Sequence, residues 1–194
     1  VHMAESPIAC MAAVHSIAAT ENFLALEYHS VDVDWWDDMI TGLPKPLVDV
    51  GGETLIERHL GRLAAAHYRD VVINVSHLGQ QIEERLGDGS RYGLTIAYSR
   101  EPDGPLDTGG GIARALSLLG LGPFLVVNAD IFSTIDLRQI YAFHLRHRPA
   151  ATLVLCNDPE FNTVSVDAAG RVIDFSARTA GSARRPLTFT GIQV

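Results

Sequence analysis

From Leu47 onward, strand-like and helix-like runs alternate along the chain, and this alternation most narrowly limits what the sequence can fold into. LVDV reads as a short strand, GG as a turn, and ETLIERHLGRLAAAHY as a helix with Leu55, Ile56, His59, Leu60, Leu63 and Ala66 near one face. VVINV is the next strand, HLGQQIEERL a helix closed by Gly87, and LTIAYS a strand reached through the turn GDGSRYG. LDTGGGIARALSLLG follows as a glycine turn entering a helix. PFLVVNAD is nearly all apolar, as a central parallel strand covered on both faces should be, and ends on Asp130. IDLRQIYAFHLRHR reads as a helix, ATLVLC as a strand, FNTVSVDAAGRVIDF as a hairpin turning at Ala168 to Gly170, and LTFTGIQV as a last strand. Strands separated by helices favour a mainly parallel sheet with helices on its faces, so the expected class is α/β.

The pattern changes before about residue 40. CMAAVHSIAATENFLALEYH has the spacing of one amphipathic helix, while VDVDWWDD is acidic and aromatic without a period. Asp32, Asp34, Asp37 and Asp38 lack the glycine and terminal glutamate of a calcium loop and read as a solvated acidic stretch. Trp35 and Trp36 read as packing residues. The expected organisation is therefore an atypical segment over 1–41 and one domain over 42–194.

A net charge of -8 excludes a broad basic surface for nucleic acid. No apolar run is long enough to cross a bilayer, and the first residues lack a secretory pattern, so a cytoplasmic location without membrane contact is expected. Cys10 and Cys156 give neither a disulfide framework nor a CxxC site. His144 and His147 fall on a helix surface, and no histidine shows metal-site spacing. Serine-hydrolase, protein-kinase and P-loop motifs are absent from the sequence, as is the GxGxxG of a dinucleotide-binding dehydrogenase.

Three motifs could carry chemistry. In PKPL, two prolines restrict the backbone around Lys45 and offer its ammonium from a stiff, extended segment, which suits a phosphate; a solvated turn lysine would look the same. In LDTGGG, Leu106 to Gly111, three glycines let backbone approach a ligand closely while a helix N-terminus adds NH donors. Asp107 or Thr108 could equally be a plain helix cap. Asp130 falls beyond the carboxyl end of a strand, where ligands of open α/β sheets collect, and could hold a magnesium ion or merely turn the chain.

In the order PKPL, VVIN, LDTGGG and VVNAD, these segments resemble the nucleotidylyltransferase family that activates sugar 1-phosphates. The likeness runs from about Gly42 to Val194. HLGQQIEERLGDGSRYGLTIAYS with LDTGGG is similar to the branch of N-acetylmuramate 1-phosphate uridylyltransferases and mannose 1-phosphate guanylyltransferase-like proteins. The resemblance implies a three-layer α/β/α sandwich with a Rossmann-like sheet, and a cytoplasmic role in nucleotide-sugar synthesis or cell-wall recycling. It implies that Lys45 contacts the triphosphate, that backbone at Leu106, Thr108, Gly109 and Gly110 reads the base, and that Asp130 holds Mg²⁺. Asn128, Thr190 and Gly191 would face the sugar, and Glu101 would lie near the base. The partners implied are an NTP, UTP favoured, and a sugar 1-phosphate.

The same resemblance calls for a glycine-rich loop with an arginine before PKP, where VDVDWWDDMITGL stands, and for a second metal aspartate beyond TFTGI. Asp167 and Asp174 come too early to replace it. The domain is thus expected to be incomplete at both ends. It is either an enzyme of impaired activity or a catalytically silent module that binds nucleotide or sugar phosphate, and unpaired strand edges would favour association of copies.

Overall fold

Thr54 and Glu57 start the first well-defined helix of the computed structural model, which describes residues 25–26, 43–102, 104–175 and 185–194. They form a capping box: Glu57 N donates to Thr54 Oγ1 at 3.3 Å and Thr54 N donates to Glu57 Oε2 at 3.1 Å. Helix α1, Leu55–Ala65, then carries Ile56 and Leu60 into a core. There they meet Ile73 and Val75 of β2 (Asp70–Val75), Ile82 and Leu86 of α2 (Gly79–Leu86), Leu94, and Ile96 of β3 (Thr95–Arg100). Strands β2 and β3 pair in parallel along their whole length, with α2 as the crossover between them. Helix α3, Asp107–Leu119, packs on both strands.

Glu57 also ties α1 to the segments that follow. Arg85 donates to both of its oxygens at 3.1 Å, Tyr92 Oη donates at 2.8 Å, and Arg91 Nη2 lies 2.5 Å away. Burial alone would push this carboxyl up, but the hydrogen bonds from Arg85, Thr54 and Tyr92 outweigh it and hold its pKa at about 2.

The chain forms two compact units, the first comprising Val1–Gly122 with Ala129–Leu137 and the second Pro123–Asn128 with Arg138–Val194. The first also contains the short antiparallel pair of β1 (Ala25–Leu26) and β5 (Phe132–Ser133). In the second, the long strand β9, Arg185–Gln193, is the organiser. It pairs antiparallel with β4 (Val126–Val127), β6 (Leu153–Cys156) and β7 (Val164–Val166). Strand β7 turns back into β8, Val172–Asp174. Asp167 makes that turn by accepting from the amides of Ala169 and Arg171, and Gly170 supplies a φ of 78° there. Helix α4, Leu137–His147, precedes β6.

Several expectations change. LVDV is not a strand: after a 3-10 turn over Lys45–Leu47, Asp49 bridges only to Thr54 around the glycine turn. PFLVVNAD contributes just Val126–Val127, both half-buried and paired antiparallel, because Asn128 N donates to Gly191 O and the chain then turns at Ala129 and Asp130. The expected α/β class holds, with α1, α2 and α3 packed on the parallel β2–β3 pair; among the described residues the other pairings are antiparallel, being hairpin or return connections to β9 or the β1–β5 contact. His144 is buried, with Nδ1 3.0 Å from Thr152 Oγ1, whereas His147 is exposed and rests on the Phe143 ring. Cys156 is exposed. The helix expected over CMAAVHSIAATENFLALEYH lies outside the described residues except for Ala25 and Leu26, which form strand β1 instead. The VDVDWWDD stretch and Cys10 lie outside the described residues too.

Candidate functional site

Lys45 opens a single 3-10 turn instead of an extended segment. Proline's fixed φ suits the first positions of a helical turn as well as extended chain. Two hydrogen bonds, Leu47 N to Pro44 O at 2.8 Å and Val48 N to Lys45 O at 3.1 Å, decide for the turn. Lys45 is half-buried, and Leu47 at the end of its turn packs against the α1–β2–β3 core.

Asp130 is exposed, in a turn whose preceding residue, Ala129, packs against that same core. The stretch after it is held from α1. His59 Nε2 donates to Ile131 O at 2.8 Å, Arg62 Nη2 donates to Ile135 O, and the Arg58 guanidinium stands 6.0 Å from the Phe132 ring centre. Arg58 also donates through Nε to Val50 O at 3.0 Å, just past the Lys45 turn. One helix therefore ties down the backbone beside both charged candidates. Burial pushes the His59 imidazole down from its usual pKa, against the opposing pull of its bond to Ile131 O.

The LDTGGG glycines sit inside the first turns of α3, which begins at Asp107, and not in a loop ahead of it. No side chain caps this helix end. Thr108 and Gly109 are exposed, and a Cβ at Gly109 would enter open space. At Gly110 it would fall 2.7 Å from Leu106 Cβ, and at Gly111 2.5 Å from Asn74 Nδ2, so these two glycines are required by close packing. Glu101, a buried carboxylate, lies on the other side of this contact.

In the second unit, Asn128 and Gly191 lie side by side. Asn128 N donates to Gly191 O at 2.9 Å, and the Asn128 side chain lies so close over Gly191 that a Cβ there would meet it at 3.0 to 3.1 Å. The adjacent Thr190 uses its hydroxyl within the sheet, donating to Val154 O at 2.9 Å.

Asn74, His59 and Arg62 were not singled out as site-supporting residues by sequence reasoning. Asn74 is the one amide in an otherwise apolar strand, and Arg58, His59 and Arg62 form a basic edge on an otherwise apolar helix face. Both are polar interruptions of a core pattern, and that is the signal that could have found them.

The chain belongs to the nucleotidyl transferase family, whose sequence model, described as Nucleotidyl transferase, matches residues 39–177. It is 46% identical over 154 residues to the N-acetylmuramate alpha-1-phosphate uridylyltransferase of Neisseria meningitidis serogroup B, covering 78% of this chain and 65% of that protein. To the mannose-1-phosphate guanylyltransferase of Mycobacterium tuberculosis it is 37% identical over 139 residues, covering 70% of this chain and 38% of that one. The chain thus spans less than two thirds of the length of either relative. The crystal structure of HddC from Yersinia pseudotuberculosis complexed with GMP-PN superposes with a TM-score of 0.65 at 18% identity, covering 88% of this chain and 72% of that one. At that identity the likeness speaks for the α/β fold. Among the described residues no helix is long and apolar enough to cross a membrane.

Proposed function

We propose that this chain binds a nucleoside triphosphate, with UTP favoured, and a sugar 1-phosphate, and joins them with release of pyrophosphate. The observation that carries the reading is that the turns bearing Lys45 and Asp130 brace on one core through Leu47 and Ala129, with the glycine-rich start of α3 packed on the strands of that core. The preference for UTP, and a place in cell-wall recycling, are supported by the 46% identity to a protein named for uridylyl transfer to N-acetylmuramate 1-phosphate.

In the reaction, a phosphate oxygen of the sugar 1-phosphate bonds to the α-phosphorus as the bond from that phosphorus to the β-phosphate's bridging oxygen breaks. The electron pair leaves with pyrophosphate. No protein nucleophile is needed, so the chain's work is to position two polyanions and offset their charge. Lys45 places its ammonium against the triphosphate. Backbone at Leu106, Thr108, Gly109 and Gly110 reads the base, and Asn128, Thr190 and Gly191 face the sugar.

Asp130 is exposed, and among the described residues no three His, Cys, Asp or Glu side chains gather into a cage. Such a site fits Mg²⁺, which keeps its waters and takes one or two carboxylates together with substrate phosphates. Asp130 would hold it, and the ion would supply charge neutralisation at the phosphates.

A second reading, a relative that binds these ligands without joining them, is supported by VDVDWWDDMITGL, which stands where the resemblance calls for a glycine-rich loop. Calorimetric titration of UTP, GTP, CTP and dTTP, and of hexose and N-acetylmuramate 1-phosphates, all with Mg²⁺, tests both. UTP is expected to bind most tightly among the nucleotides. Absence of heat with every nucleotide and sugar phosphate would overturn both readings, and binding without pyrophosphate release would select the second.

A further inference from the structure

Glu101 follows β3 directly and is only 8% exposed. Its backbone is fixed from two sides, its N donating to Val75 O at 2.8 Å and its O accepting from Ser76 Oγ at 3.3 Å. The carboxylate is therefore anchored at the carboxyl end of the parallel β2–β3 pair. Both of its oxygens are engaged: Oε1 accepts from Asn74 Nδ2 at 3.1 Å, and Oε2 accepts from Leu106 N at 3.0 Å. Leu106 is the residue immediately before α3.

Such a carboxylate is tolerable in a buried place because it has donors, and losing either would leave charge poorly compensated. The surroundings are built to the same tolerance. A Cβ on Gly111 would stand 2.5 Å from Asn74 Nδ2 and 3.0 Å from Glu101 Oε1, so the amide–carboxylate pair fits only beneath a glycine. Gly110 in turn leaves room for the Leu106 side chain, where a Cβ would fall 2.7 Å from Leu106 Cβ. Leu106 is thereby held through its amide, while its side chain remains exposed.

The geometry points to Glu101 as a positioning residue: latched between Asn74 and the Leu106 amide, its carboxylate sets the pose of the Leu106–Gly110 backbone that reads the base. This inference rests on the nucleotide reading proposed above. With both oxygens occupied internally, Glu101 acts through the turn and does not itself touch the base. Sugar phosphate recognition is assigned to other residues, Asn128, Thr190 and Gly191.

The test compares Glu101→Leu, Asn74→Ala and Glu101→Gln with the unsubstituted chain. UTP and sugar 1-phosphate affinities are read by calorimetry with Mg²⁺, and Leu106–Gly110 amide exchange is read without ligand. Glu101→Leu is expected to weaken UTP binding about tenfold and speed amide exchange, and Asn74→Ala to do so to a smaller extent, with sugar phosphate affinity unchanged in both. Glu101→Gln rescues, to within about threefold, since its amide oxygen still accepts from Leu106 N while its NH₂ donates to a rotated Asn74. A folded Glu101→Leu chain with unaltered UTP affinity and exchange would overturn the latch. Should that variant fail to fold, Asn74→Ala with unaltered UTP affinity would overturn it and weakened binding would uphold it. If the unsubstituted chain binds no UTP, the nucleotide reading falls separately. The latch is then decided on exchange at Leu106, accelerated in Glu101→Leu if it exists and unchanged if it does not.

Discussion

His59 Nε2 lies 2.8 Å from the carbonyl oxygen of Ile131, the residue that follows Asp130. A carbonyl can only accept, so the imidazole proton resides on Nε2. The other ring nitrogen, Nδ1, is buried without a hydrogen-bond partner among the described residues. A neutral histidine thus helps hold the backbone beside the proposed metal carboxylate.

The folded-state pKa of His59 is lowered from 6.5, chiefly by burial. The sign follows: the unfolded chain binds this proton more readily, so the contribution is full above the unfolded value and is lost as pH falls below it. Denaturant midpoints measured from about pH 7.5 down to about pH 5.5 should fall more steeply for the unsubstituted chain than for His59→Gln, which keeps a donor but cannot titrate. Parallel curves would remove His59 from the acid response.

Glu57 acts at lower pH. Its carboxyl is held at about 2 against an ordinary 4.5, so its contribution is complete above about 4.5 and disappears as pH falls through about 2. Arg85 and Arg91 are half exposed, at 51% and 53%, and screening reduces what the ion pairs return. Glu57→Gln is expected to cost on the order of 1 to 2 kcal/mol at neutral pH and to flatten the acid limb of the stability curve. Equal stability of the two proteins at neutral pH, measured by urea unfolding, would contradict this role.

The sequence carried the helices well because each has a local signature: the Thr54–Glu57 box and apolar stripe for α1, Gly87 closing α2, and glycine-to-leucine composition for α3. Strands β2 and β3 were equally legible, their apolar runs being long and bounded by turns. Around LVDV and PFLVVNAD apolarity misled, since burying a residue requires a neighbour and not a ladder partner. Val50 is buried within a turn, and Ala129 packs on the core from one. For the candidate site, the order of Lys45, LDTGGG and Asp130 could be read directly. The supports at Asn74, His59 and Arg62 could not, because each bonds to a residue at least 27 positions away and local spacing holds no record of it.

Gly191 has a φ of 78°, where a side chain is strained, and the Asn128 side chain lies 3.0 to 3.1 Å from where a Cβ would be. Gly191→Ala is expected to cost about 1 to 2 kcal/mol and to displace the Asn128 amide. On the proposed function, sugar 1-phosphate affinity should drop with UTP affinity retained. A calorimetric comparison in which UTP binding fell instead would place these two residues on the nucleotide side.

Pyrophosphate release from UTP and a hexose or amino-sugar 1-phosphate, measured with Mg²⁺ for the unsubstituted chain, Lys45→Ala and Asp130→Asn, tests the central claim most directly. The predicted result is release that requires both substrates and falls by at least about a hundredfold in each variant, as expected when a charge that stabilises the transition state is removed. Release unaffected by either substitution, or no release from any pairing of nucleotide and sugar phosphate, would contradict it.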